Sequence, residues 1–117
     1  AAERDVVVIC AGKEGRASLE DTAMAGLLVE RMLAAATELV PDDGALMAQA
    51  LWRNRSGDIG GLLRESAHGA YLAPLGFGED LEFCARLDAL DCVPGLRDGR
   101  IEWDEGRGLQ ARSQASR

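Results

Sequence analysis

The chain has 117 residues, enough for one small domain and too few for two, and with aromatics at 4% its core must be built from Leu, Ala, Val and Met. Its 13 Lys and Arg against 20 Asp and Glu give a formal net charge of -7, a surface that repels phosphate backbones and argues against nucleic-acid binding. The apolar run Val6-Val7-Val8-Ile9 is far too short to span a bilayer and no signal-peptide pattern is seen at the start of the sequence, which lacks an initiator Met, so no membrane partner is expected.

Taken in chain order, residues 5–11 come first, with Val6-Val7-Val8-Ile9-Cys10 at their centre. A continuous β-branched run bounded by polar residues is the pattern of a strand buried on both faces, inside a parallel or mixed sheet. A glycine-containing loop follows, Ala11-Gly12-Lys13-Glu14-Gly15-Arg16-Ala17. Ser18 can cap the next helix, and Asp21, three residues on, completes a capping box. That helix is expected over residues 19–39, with Met24, Leu28, Met32, Ala35 and Leu39 as its apolar stripe.

Pro41-Asp42-Asp43-Gly44 breaks the pattern, and Asp42 or Asp43 can cap a second helix over residues 44–53. After the turn Asn54-Arg55-Ser56-Gly57, a third helix is expected over residues 58–72, using Ile59, Leu62, Leu63 and Tyr71. Gly60, Gly61 and Gly69 lower its intrinsic propensity. Pro74-Leu75-Gly76-Phe77-Gly78 is a loop, and residues 79–90 read as a fourth helix with Cys84 on an apolar face. Arg97-Asp98-Gly99-Arg100 is a tight turn that leads into a short edge strand over residues 100–103. The polar stretch 104–117 reads as a flexible tail beyond a domain at 5–103.

The fold class is therefore α/β, a mixed sheet with covering helices. One good strand and one weak strand scarcely supply the neighbours that a central strand needs. Preceding sequence or a partner chain, a homo-oligomer included, is expected to supply the rest.

Cys10, Cys84 and Cys92 form no short pairs, which suits a reducing, cytoplasmic setting and not a disulfide framework. With one histidine and no CxxC pair, a structural zinc site is disfavoured. The local feature that bears most on function is strand, glycine loop, helix start. Loop amides and a helix N-terminus bind anions, and Lys13 and Arg16 add positive charge. Gly12 and Gly15 match neither a dinucleotide fingerprint nor a Walker loop, so a plain βα turn is the competing reading. Glu20 and Asp21 are adjacent and do not share a helix face. For Asp21 the plain role is the capping box, and for Glu20 it is a solvent-facing first turn. His68 reads either as a structural histidine or as an acid or phosphate contact. Asp80 either starts its helix or brings a carboxylate to a cleft.

At these residues a resemblance emerges. The stretch VVVICAGKEGRASLEDTAMAG, Ser66-Ala67-His68-Gly69 followed by Leu72 and Gly76, the run GEDLEFCARLD with Asp80 and Cys84, and Val93-Pro94 occur in the order found in 2-phosphosulfolactate phosphatases. The resemblance spans residues 5–103 and places the chain in the C-terminal half of that family. It implies a magnesium-dependent enzyme of mixed α/β fold that converts 2-phosphosulfolactate to sulfolactate and phosphate, a step of coenzyme M biosynthesis where that cofactor is made. It also implies Glu20, Asp21 and Asp80 as magnesium carboxylates, with Asp21, His68 and Asp80 in catalysis. Gly12, Lys13, Gly15 and Arg16 would approach a small phosphorylated anion. Magnesium favours carboxylate oxygens and retained waters, and it can neutralise phosphate charge. The family's earlier half, with its own acidic and Asn-Gly-Thr segments, has no counterpart here. Activity is thus expected only with that half present, and the alternative is a noncatalytic interaction or structural domain descended from the enzyme.

Overall fold

In the computed structural model, which describes residues 5–104, four of the five α-helices begin at a short polar residue whose side-chain oxygen accepts a first-turn N–H. Ser18 does this for α1 (Leu19–Ala35), Asp42 for α2 (Asp43–Arg55), Asp58 for α3 (Ile59–Glu65) and Ser66 for α4 (Ala67–Leu72). Each such cap satisfies a donor that the helix itself leaves open. A 3-10 turn over Ala73–Leu75 leads to α5 (Gly78–Cys84).

The chain divides into two compact units, one ending at Ala85 and the other beginning at Arg86. In the first unit α1 lies along α2, α1 also meets α3, and α3 meets α5. The tightest approach is at Gly26 of α1. A Cβ there would run into the Ala48 carbonyl of α2 and lie 2.8 Å from the Trp52 Cβ. Ala23, Ala25, Leu27 and Val29 of α1 are buried, with Ala48 of α2, Leu62 of α3 and Leu81 of α5. Beside this contact Gln49 Nε2 donates to Glu30 Oε2 at 2.5 Å, and Arg53 Nη2 pairs with Glu30 Oε2 at 2.9 Å.

The second unit contains a two-stranded antiparallel sheet, β1 (Val93–Arg97) and β2 (Arg100–Asp104), with Arg97 opposite Arg100 and Val93 opposite Asp104. Asp98 (φ 47°) and Gly99 (φ 75°) form its two-residue loop. Positive φ at both central positions gives the tight hairpin turn whose twist suits the flanking strands. The chain thus joins helices with a small sheet, as the α/β class requires. The expected tail lies, beyond Asp104, outside the described residues.

Several local expectations differ from the structure. The first helix ends at Ala35, four residues short of the expected end, and Asp21 Oδ2 accepts from Gly12 N in place of the Ser18 N–H that a capping box would use. Residues 6–10 pair with no strand among the described residues, and Val7 and Ile9 are 76% and 87% exposed. Met24 and Leu28 lie at the surface, because α2 packs against the Gly26 side of α1, where small residues permit closer approach. The helix expected over 58–72 is two helices. Ser66 Oγ donates to Leu63 O at 2.8 Å and accepts from Gly69 N at 3.0 Å, and this local bonding displaces the continuous helix. Finally, α5 stops at Cys84, six residues short of the expected end, and Cys84 is exposed, not packed in the core. Asp88 beyond it has φ 52°, a backbone conformation no α-helix contains.

Candidate functional site

The loop between the Val6–Cys10 run and α1 is held by backbone bonds at both ends of a tight turn. Lys13 N donates to Arg16 O at 3.0 Å, and Arg16 N donates to Lys13 O at 2.9 Å. Glu14 (φ 52°) and Gly15 (φ 72°) occupy the two central positions, both left-handed. Gly12 precedes the turn at φ 69°, and a Cβ there would lie 2.5 Å from the Arg16 carbonyl oxygen. Its N–H donates to Asp21 Oδ2 at 2.8 Å, which fastens the loop to the first turn of α1. Asp21 N in turn donates to Ser18 Oγ at 3.3 Å, and Thr22 Oγ1 donates to Ser18 O at 2.7 Å.

This loop forms one wall of a cleft of about 220 Å³. Lys13, Ser18, Leu19 and Glu20 line it from the loop and the first turn of α1, and Glu65, Ser66, Ala67 and His68 line it from the junction of α3 and α4. The first-turn amides of a 17-residue helix carry partial positive charge, to which Lys13 adds a full one. Glu65 on the far wall is paired with Arg55 at 2.8 Å. His68 Nδ1 is shielded from solvent and has no hydrogen-bond partner. Buried polar nitrogens are nearly always satisfied, so this unpartnered atom is an exception, and, shielded as it is, it is not the atom of His68 that faces the cleft.

The expected site residues separate into groups. Lys13, Glu20 and His68 line this cleft. Gly12 and Gly15 shape its loop through positive φ, while Arg16 closes the turn with its backbone and is exposed. Asp21 lines a different, shallower recess of about 200 Å³ with Val8, Ile9, Met24 and Leu28. Adjacent residues on a helix point about 100° apart, which is why Glu20 and Asp21 serve different recesses. Asp80 is exposed in the first turn of α5. Among the described residues no group of three or more His, Cys, Asp or Glu is arranged to hold a metal ion. The donor set for magnesium is thus not assembled by Glu20, Asp21 and Asp80 as the described residues stand.

Sequence reasoning passed over Tyr71 as a site residue. Its ring lies 6.4 Å from the His68 ring with 19° between planes, and Lys13 Nζ is 5.8 Å from its centroid. The only local signal was its spacing of three from His68, which places both on one side of a helix.

Comparison with known proteins gives this geometry a context. The family model of 2-phosphosulpholactate phosphatase matches residues 1–99. A "Probable 2-phosphosulfolactate phosphatase" of Symbiobacterium thermophilum is 38% identical over 99 residues, which are 85% of this chain and 42% of the relative. Proteins of the same description from Deinococcus radiodurans and a Synechococcus strain are 40% and 42% identical, over 84% and 77% of this chain and 40% and 38% of their own lengths. The chain therefore spans about two-fifths of the curated relatives it matches. No solved structure matches it. No helix among the described residues is long and apolar enough to cross a membrane.

Proposed function

As the chain belongs to the 2-phosphosulpholactate phosphatase family, we propose that it carries the phosphate-holding part of a magnesium-dependent phosphomonoesterase. The substrate proposed is 2-phosphosulfolactate, as the relatives' description has it. The observation that carries this reading is the cleft at the start of α1, which Lys13 lines from the loop and His68 from the start of α4.

In this reading the loop of Gly12, Lys13, Gly15 and Arg16 meets the phosphoryl group, and Lys13 and the first-turn amides of α1 offset its charge. Hydrolysis breaks the ester P–O bond, water supplies the new oxygen on phosphorus, and the leaving oxygen takes up a proton. His68 is proposed as the group that delivers that proton or holds a phosphoryl oxygen. Asp21 keeps the loop in place through Gly12. Glu20, Asp21 and Asp80 enter as magnesium carboxylates through the sequence resemblance. Because the described carboxylates form no ligand cluster, no step is assigned to the metal here. Magnesium, when bound, would supply charge neutralisation at the phosphate. The three cysteines are free, which fits the reducing cytoplasm proposed for this activity.

Phosphate release tests the proposal, measured with the full natural protein that contains this chain. Release from 2-phosphosulfolactate that requires magnesium and is lost in His68→Ala supports it. A folded protein that releases no phosphate from this ester or from simpler monoesters would overturn it, in favour of a noncatalytic interaction domain.

A further inference from the structure

Tyr71 stands in an unusual place for an aromatic side chain. It is 60% exposed, so its ring adds little to the core around Leu62. What it does touch are two groups of the cleft that come from distant parts of the chain. His68, one turn earlier on α4, lies against it with ring centroids 6.4 Å apart and planes 19° from parallel, within the range of aromatic stacking. Lys13, from the loop ahead of α1, brings its ammonium to 5.8 Å from the same centroid, within reach of the attraction between a cation and the negative ring face. The Lys13 backbone is already fixed by its paired bonds to Arg16. The long flexible stem of the side chain is not fixed by those bonds, and an unrestrained lysine samples many rotamers.

We propose that Tyr71 is a positioning residue of the anion cleft: its ring sets the Lys13 ammonium and the His68 imidazole at a fixed separation, so that both address one phosphoryl group. The inference rests on reading the cleft as a phosphate site. The ring face, and not the phenol hydroxyl, is the part that acts. Tyr71→Phe therefore retains the function, and Tyr71→Leu, similar in bulk and apolar, removes it. Because the position is exposed, neither substitution removes a core contact.

The experiment is a titration of the full natural protein that contains this chain with inorganic phosphate, followed by NMR at Lys13 and His68, for the wild type, Tyr71→Phe, Tyr71→Leu, Lys13→Ala and His68→Ala. Before phosphate is added, the Lys13 side-chain protons are expected upfield in the wild type and Tyr71→Phe, from the ring current, and at ordinary positions in Tyr71→Leu. Phosphate affinity is expected to fall roughly two- to fivefold in Tyr71→Leu, the range an exposed cation–π contact supports, and to be restored in Tyr71→Phe. Wild-type affinity in Tyr71→Leu, alongside weakened binding in Lys13→Ala and His68→Ala, overturns the positioning role and leaves the phosphate reading standing. Equal weakening in Tyr71→Phe and Tyr71→Leu also overturns it, since the ring would not be the active part. No phosphate binding by the wild type overturns the phosphate reading, and this inference with it.

Discussion

The amide of Gly12 donates to Asp21 Oδ2 across 2.8 Å, so the carboxylate in the first turn of α1 holds the loop in front of that helix. One lone pair of Asp21 Oδ2 is thereby committed within the protein, out of the several acceptor sites its carboxylate carries. The bond also couples the loop geometry to the start of α1, where Ser18 Oγ accepts from Asp21 N.

Removing this carboxylate is expected to loosen the loop before it affects the rest of the fold. Asp21→Ala should lower unfolding free energy by about 1–2 kcal/mol, the scale of a partly buried hydrogen bond to a charged group. Asp21→Asn, which keeps a side-chain carbonyl, should cost less. Urea denaturation of the two variants checks the order.

Two glycines of the same loop should respond differently to alanine. At Gly15 (φ 72°) nothing lies within 4 Å of the added methyl, so only backbone strain counts, about 1 kcal/mol. At Gly12 (φ 69°) the methyl would also lie 2.5 Å from the Arg16 carbonyl oxygen, so the cost should approach about 2–3 kcal/mol. Thermal unfolding of Gly12→Ala and Gly15→Ala reads the difference, and equal losses would show that the carbonyl yields.

Gly26 and Gly69 are close-approach positions within helices, and a Cβ at each would meet a backbone carbonyl, of Ala48 and Leu63 respectively. A methyl at Gly78 meets nothing within 4 Å. Gly26→Ala and Gly69→Ala should each destabilise by roughly 1–3 kcal/mol through overpacking, while Gly78→Ala should be neutral or mildly stabilising. Chemical denaturation ranks the three.

Arg53 and Gln49 donate to the Glu30 carboxylate and hold its pKa below the usual carboxylate value. A group whose folded pKa is lowered contributes stability that is present above its unfolded pKa and lost as pH falls through the folded one. The α1–α2 contact should therefore weaken in acid. In Glu30→Gln, melting temperature should fall less between neutral pH and acid than in the wild type. Parallel pH profiles for the two proteins would remove the ion pair as the cause.

The cleft residues make separable functional predictions. Lys13→Ala and His68→Ala should weaken inorganic phosphate binding by roughly tenfold, as loss of one charge-assisted contact implies. Asp80→Ala, at an exposed position of α5, should leave metal-free phosphate binding unchanged. If Asp80 is a magnesium carboxylate, the same variant lowers magnesium-dependent turnover of the full natural protein, and a normal metal response rules that role out.

Much of the chain was legible where structure depends on neighbours three or four residues apart. Ser18 and Asp42 cap their helices as their positions in the sequence imply, since a side-chain oxygen need only reach an amide one turn ahead. The turn at Asp98-Gly99 was equally plain, because few dipeptides accept positive φ at both positions. The break at Ser66 was not expected, since residues 58–72 read as one helix. Its hydroxyl can cap a new helix, but Gly69 is needed for the chain to fold against the Leu63 carbonyl.

The sequence by itself determined the caps, the turns, the glycine loop and the family, all of which rest on short-range geometry or on residue order. Only the tertiary structure decided which side of α1 is buried. Periodicity marks Met24 and Leu28 as apolar, but the space between α1 and α2 is set by how closely two backbones approach, and Gly26 allows the closer contact. Packing likewise decided that Lys13, Glu20 and His68 share a cleft while Asp21 lines another recess. Residues that meet across separate helices leave no period in the chain, so their meeting is a property of the packed helices and not of any local stretch of sequence.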